Sequence, residues 1–124
     1  MGDYLPVAPD GRYGYTCSAA VTEGQLLEVT GDGTVGPAAV TSAKVVGVAA
    51  FAQASGGKVL THDLDDLHET TVATGQALTA GDPVKAGASG TVEKWDSAND
   101  AVAAYLGTCT TGATAGNKAR WTGR

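Results

Sequence analysis

The chain contains itself twice, and this restricts the folds open to it more than any other feature. The segment "VTEGQLLEVTGDGTVG" (21–36) matches "LTAGDPVKAGASGTVE" (78–93) at a constant offset of 57. Thr22, Gly24, Gly33, Thr34 and Val35 fall on Thr79, Gly81, Gly90, Thr91 and Val92. Farther on, "KVVGVAAFA" (44–52) aligns with "AAYLGTCTT" (103–111), Gly47 on Gly107, and "SGGKVLT" (55–61) with "AGNKARW" (115–121), Lys58 on Lys118, both at an offset of 60. The additional residues of the second copy fall between Val92 and Gly107, where "WDSAND" is a polar stretch in which insertion costs little closure entropy. The pattern predicts one β domain over residues 16–124, made of two similar units (16–61 and 72–122) linked by 62–71 and preceded by a different segment, 1–15.

Each copy has the grammar of strands and tight turns. In "QLLEV" the alternation places Leu27 and Val29 on one face and Glu28 on the other; the second copy places Val84 and Ala86 inward and Lys85 in solvent. "VVGVAAF" (45–51) and "AVAAYLG" (101–107) are apolar at successive positions, as expected of strands covered on both faces by the core and by a second sheet or a neighbouring subunit. "AVAAYL" also has helical propensity, and its repeat partner argues for a strand. With 18 glycines against one Phe and one Met, the core must be built from small aliphatic side chains and the chain must turn often. The fold class expected is therefore all-β: a compact small barrel or sandwich, β-tulip-like, with an extended N-terminal arm.

"GDGTVG" (31–36) fits the G-x-G-x-x-G pattern of dinucleotide-binding loops, but such a loop must follow a strand and open a helix. Pro37 follows at once, no amphipathic helical run comes after it, and the second copy replaces the third glycine with Glu93. What both copies keep is a turn, Asp32-Gly33 or Ser89-Gly90, followed by Thr-Val, so the glycines are expected to turn a hairpin.

Little else in the chain suggests chemistry. The polar cluster "THDLDDLHE" holds His62, Asp63, Asp65, Asp66, His68 and Glu69, yet its histidines are spaced neither for a helical metal site nor for a tight hairpin pair, and its acidic residues do not form a calcium loop. It is expected to be a solvated link between the copies. Ser55 and Ser89 lack a nucleophile elbow. Cys17 and Cys109 form neither a disulfide framework nor a C-x-x-C motif, and are expected to be small buried hydrophobes. No catalytic, cofactor or metal residue is assigned, and an enzyme is the minority reading. A net charge of −5 disfavours direct nucleic-acid binding. No apolar run approaches the roughly 20 residues of a membrane span, and "MGDYLP" resembles neither a signal peptide nor, with Pro6, a myristoylation site.

The first fifteen residues differ from the rest. "MGDYLPVAPDGRYGY" combines Pro6 and Pro9, which hold the backbone extended, with Tyr4, Tyr13 and Tyr15, a residue type favoured at interfaces. Such a segment either folds back over its own domain or lies on a partner; on the partner reading, the one preferred, the binding set is Tyr4, Leu5, Pro6, Val7, Pro9, Arg12, Tyr13 and Tyr15. On this basis, removal of residues 1–14 should leave a folded domain with weakened partner binding.

Taken together, "AAVTEGQLLEVTGDGTVGPA", "AKVVGVAAFAQASGGKV" and "LTAGDPVKAGASGTV" resemble the capsid cement, or head decoration, proteins of tailed bacteriophages over about residues 15 to 121. The resemblance rests on the V-T-x-G step, the V-V-G-V-A strand, the G-G-K-V turn and the T-A-G-D-P-V second copy; "LGTCTTGATAGNKARW" departs from it. It implies a non-catalytic structural protein without cofactor, made in the host cytoplasm. Such a protein binds the outer capsid surface of the virion as a homotrimer and clamps neighbouring major capsid protein subunits. Two rivals stand beside it: a carbohydrate- or receptor-binding β module using Trp95 or Trp121 as a platform, and a hydrolase or metal-dependent enzyme using His62 and His68.

Overall fold

The computed structural model describes residues 12–123, with side chains from residue 14 onward. Twelve strands and two short 3-10 turns are the regular elements of the described residues, which contain no α-helix. The first unit comprises β1 (Arg12–Cys17), β2 (Leu26–Gly31), β3 (Thr34–Pro37), β4 (Val45–Ala49) and β5 (Lys58–His62). These close into a five-stranded barrel in the order β1-β3-β2-β4-β5, with β1 parallel to β3 and antiparallel to β5. The second unit comprises β6 (Leu67–Thr71), β7 (Ala77–Leu78), β8 (Pro83–Ala86), β9 (Val92–Lys94), β10 (Gly107–Thr111), β11 (Ala113–Thr114) and β12 (Lys118–Gly123). Its main sheet runs β6-β12-β10-β8-β9, which is the same cyclic order.

The two units agree pair by pair. Leu27↔Gly47 in the first is Val84↔Gly107 in the second, and Ala49↔Thr61 is Cys109↔Trp121. The antiparallel bridge Val21↔Gln53 becomes Leu78↔Ala113. Even the closure repeats: the parallel pair Cys17↔Val35 has its counterpart in the parallel bridge Val72↔Val92. The turns before β2 and β8 are also alike. Gln25 N–H donates to Thr22 O and Asp82 N–H to Thr79 O, while Thr22 N–H donates to Gln25 Oε1 and Thr79 N–H to Asp82 Oδ2.

Both β2–β3 and β8–β9 turn where expected. Gly33 sits at φ +67 in the tip between β2 and β3, a conformation that a side chain disfavours. In the second unit the turn is wider and takes in the 3-10 turn Ala88–Gly90, with both Ser89 and Gly90 at positive φ.

Four expectations need correction. The stretch 62–71 is not a free link, because β6 occupies Leu67–Thr71 and pairs with β12 along its length. It is the second unit's counterpart of β1, disguised by polar residues that are buried against polar or aromatic partners. Likewise the N-terminal segment is not an arm as far as residue 15, because β1 begins at Arg12. "AVAAYL" holds a 3-10 turn at Val102–Ala104 rather than a strand, and β10 starts only at Gly107. Lys85 is buried, because Asp100 on the inserted loop and Thr41 of the first unit both take its ammonium, at 2.8 and 2.9 Å.

Two cores hold the molecule together. Cys17, Val21, Leu27, Val35, Ala49 and Val59 fill the first barrel. Their counterparts Val72, Leu78, Val84, Val92, Cys109 and Ala119 fill the second, together with Trp121. The second core does not stop at the unit boundary, since Leu26, Ala38 and Val48 of the first unit belong to it. Strands β2 and β4 are therefore buried on both sides: Leu27, Val46 and Ala49 face one core, while Leu26, Val45 and Val48 face the other. This departs from simple alternation on β2, where Leu26 is buried and Val29 is 38% exposed. The continuous apolar pattern of β4 has the same cause.

Candidate interaction surface

Of the residues expected to contact a partner, Tyr4, Leu5, Pro6, Val7 and Pro9 lie outside the described residues. The other three stand on β1. Arg12 is in register with His62, Tyr13 with Thr61 and Tyr15 with Val59. Tyr15 is half-buried and packs on the first core, so it serves the barrel rather than a projecting arm. Its alternation with Cys17 across an intervening Thr16 is the signal that marks a strand here.

The histidine-rich segment divides between two strands and their connection. His62 ends β5, whereas His68 is buried on β6 with its ring 4.8 Å from that of Trp121, tilted by 44°. His68 Nε2 lies 2.7 Å from Asp63 O and so donates to that carbonyl. Burial pushes the His68 pKa below the usual imidazole value, and the carbonyl bond together with the nearby Asp66 charge oppose this only in part. Trp121 Nε1–H donates to Thr70 Oγ1 at 3.0 Å, and Thr70 Oγ1–H donates to Gly24 O of the first unit at 2.9 Å. Glu69 pairs with Arg120 at 3.0 Å in solvent. No group of three metal-ligating side chains gathers among the described residues. Cys17 and Cys109 are both free thiols, one in each core, and burial raises the pKa of each.

The two tryptophans differ. Trp121 is fully buried and belongs to the second core. Trp95 belongs to neither core; its Nε1–H donates to Ala101 O at 3.0 Å and its ring meets Tyr105 edge-on at 5.6 Å. With Pro83, Gln76, Lys94, Asp96 and Ser97 it lines an open groove of about 690 Å³. A smaller slot of about 190 Å³ marks the seam between the units, where the Thr22–Gln25 turn meets Thr70, Thr71 and Ser89–Thr91. Both hollows mix polar and apolar surface in their lining, and neither is the enclosed apolar cavity that a small hydrophobic ligand needs.

The seam is a built interface. Thr41 N–H donates to Ala86 O at 2.9 Å, Gly90 N–H to Ala38 O at 2.8 Å and Gln25 Nε2–H to Ser89 O at 2.7 Å. Lys85 and Asp100, each with a side chain only 10% exposed, form an ion pair beside it. The Lys85 ammonium holds the Asp100 carboxyl below the usual carboxylate range. Sequence reasoning missed Lys85 because its neighbours in the chain give no sign that a loop fifteen residues away folds over it.

These features define a class: a closed five-stranded barrel joined through a shared core to a second unit whose five-stranded sheet repeats its strand order, with an open groove beside Trp95. Among solved structures, the chain is similar to the N-terminal base of the head fiber protein gp8.5 of bacteriophage phi29. The likeness has a TM-score of 0.70 at 18% identity and covers 91% of this chain and 92% of that one. At this identity it establishes the fold. No family model matches the chain, and no curated protein matches it.

Proposed function

We propose that the protein is a structural component of a tailed-phage virion, seated on the outer surface of the assembled head. There it acts as a homotrimer that clamps neighbouring major capsid protein subunits and catalyses nothing. The observation that carries this reading is the likeness of nearly the whole chain to the base of a phage head fiber. The resemblance of the repeat motifs to head decoration proteins points the same way.

The physical basis is linkage. A ligand that binds only the assembled shell stabilises the shell by its own binding free energy. Several copies held together convert modest single contacts into a strong one, because each later contact forms at high effective concentration. The segment carrying Tyr4, Leu5, Pro6, Val7 and Pro9 supplies the adhesive contact, whereas Arg12, Tyr13 and Tyr15 belong to β1. A deletion that tests the segment without opening the barrel must therefore end at residue 11, not 14.

Purified protein mixed with assembled heads of the phage that encodes it is expected to pellet with them saturably. A variant lacking residues 1–11 should stay folded and remain largely in the supernatant. Full-length protein that stays in the supernatant with intact heads overturns the reading; equal pelleting of the truncated form removes the role of the segment alone.

A further inference from the structure

The register agreement between the units allows the strand residues at the seam to be paired with their counterparts in the other unit. On the first unit's side, the seam uses Leu26, Ala38 and Val48. In the second unit these positions are Pro83, Trp95 and Thr108, all partly exposed, and Pro83 and Trp95 line the open groove. On the second unit's side, the seam uses Ala86 and Gly90, both buried. Their counterparts in the first unit are Val29, 38% exposed, and Gly33 at the exposed hairpin tip. One molecule thus carries both halves of an interface it has already formed once within itself, with one uncovered half on each unit.

We propose that a second copy of this chain covers the Trp95 groove, presenting to it the β2–β3 hairpin face around Val29 and Asp32-Gly33. The contact is heterologous: the second unit of one copy sits on the first unit of the next as the first unit sits on the second within each chain. Continuity with the internal seam argues for this occupant. So does the substitution pattern, since a tryptophan outside both cores stands where the first unit buries Ala38. Large aromatics are favoured anchors at subunit contacts. Head-to-tail contacts of this kind end in a closed ring when the rotation permits, so the proposal gives the trimer of the preceding section its interface. It rests on that reading only for the number of copies.

The test is the mass of the full-length protein in solution, by light scattering across a concentration series. A mass of several chains is expected, falling to the single-chain value of 12.3 kDa in Trp95→Glu and in Val29→Arg. Val29 is exposed and Trp95 is half-buried, bonded to Ala101 and packed on Tyr105, so cooperative thermal melts of both variants, with some loss of midpoint in Trp95→Glu, confirm that they fold. The decisive step is to mix them. Val29→Arg keeps an intact Trp95 groove and Trp95→Glu keeps an intact hairpin face, so a head-to-tail contact predicts a dimer of one copy of each that grows no further. Wild-type protein monomeric at every concentration overturns the proposal, as does an oligomer that survives both substitutions, or a mixture that remains monomeric. Head binding is measured separately, so loss of this interface and loss of the virion role remain distinguishable.

Discussion

His68 is the residue whose protonation reaches farthest. It is buried between β6 and Trp121, its pKa lowered mainly by desolvation, so the unfolded chain takes up a proton at a higher pH than the folded one. The stability it permits is complete above the ordinary imidazole pKa and is lost as the pH falls through that value toward the lower folded one. Urea midpoints should therefore drop between pH 7.5 and pH 5, and His68→Asn should flatten that part of the profile at the cost of a lower midpoint throughout. An unchanged slope in the variant would assign the effect elsewhere. Such a role was invisible in the sequence, where His68 stands among four acidic residues and reads as solvated. Only the cross-strand pairing with Trp121, 53 positions later, explains why an imidazole is inside.

Among the elements, β4 was the most legible and β1 and β6 the least, while β10 was expected too early in the chain and only its first residue, Gly107, was placed correctly by the repeat. Gly47 and Gly107 align in the sequence, and the structure gives both the same task. A Cβ at either position would collide with the backbone carbonyl of the neighbouring strand, His62 O in one unit and Thr122 O in the other. Alanine at Gly47 or Gly107 is accordingly expected to destabilise the fold by about 1–3 kcal/mol through overpacking, as read from denaturant midpoints. A neutral result at either site would mean that the strands can separate there without penalty. The strands β1 and β6 escaped notice for a shared reason. Both open their units with polar or tyrosine-rich residues whose burial depends on strands about 50 residues away: Tyr15 sits opposite Val59 and Thr70 opposite Ala119. Periodicity finds a strand when its inward residues are apolar; it is silent when a hydrogen-bonded Thr or a stacked His fills the same position.

At the scale of the whole molecule, the repeat predicted two units but not how they join. Leu26, Ala38 and Val48 read as parts of the first unit and serve the core of the second, so neither unit can lose its structure without stripping the other. Unfolding should therefore be one cooperative transition, with far-ultraviolet circular dichroism and tryptophan fluorescence coinciding. Both tryptophans lie in the second unit, so a first unit that melted separately would show as a circular dichroism change without a fluorescence change. The join escaped the sequence because the residues making it, such as Lys85 with Asp100 and Thr41, look like ordinary surface polar groups until the inserted loop folds over them.

The placement of the two thiols has a practical outcome. With one sulfhydryl sealed in each core and no covalent cross-link between them, the fold depends on neither a reducing nor an oxidising medium. Each sulfur is also a built-in clock: an alkylating reagent can reach Cys17 only when the first core breathes and Cys109 only when the second does, so two labelling rates would record how often each half of the folded protein opens.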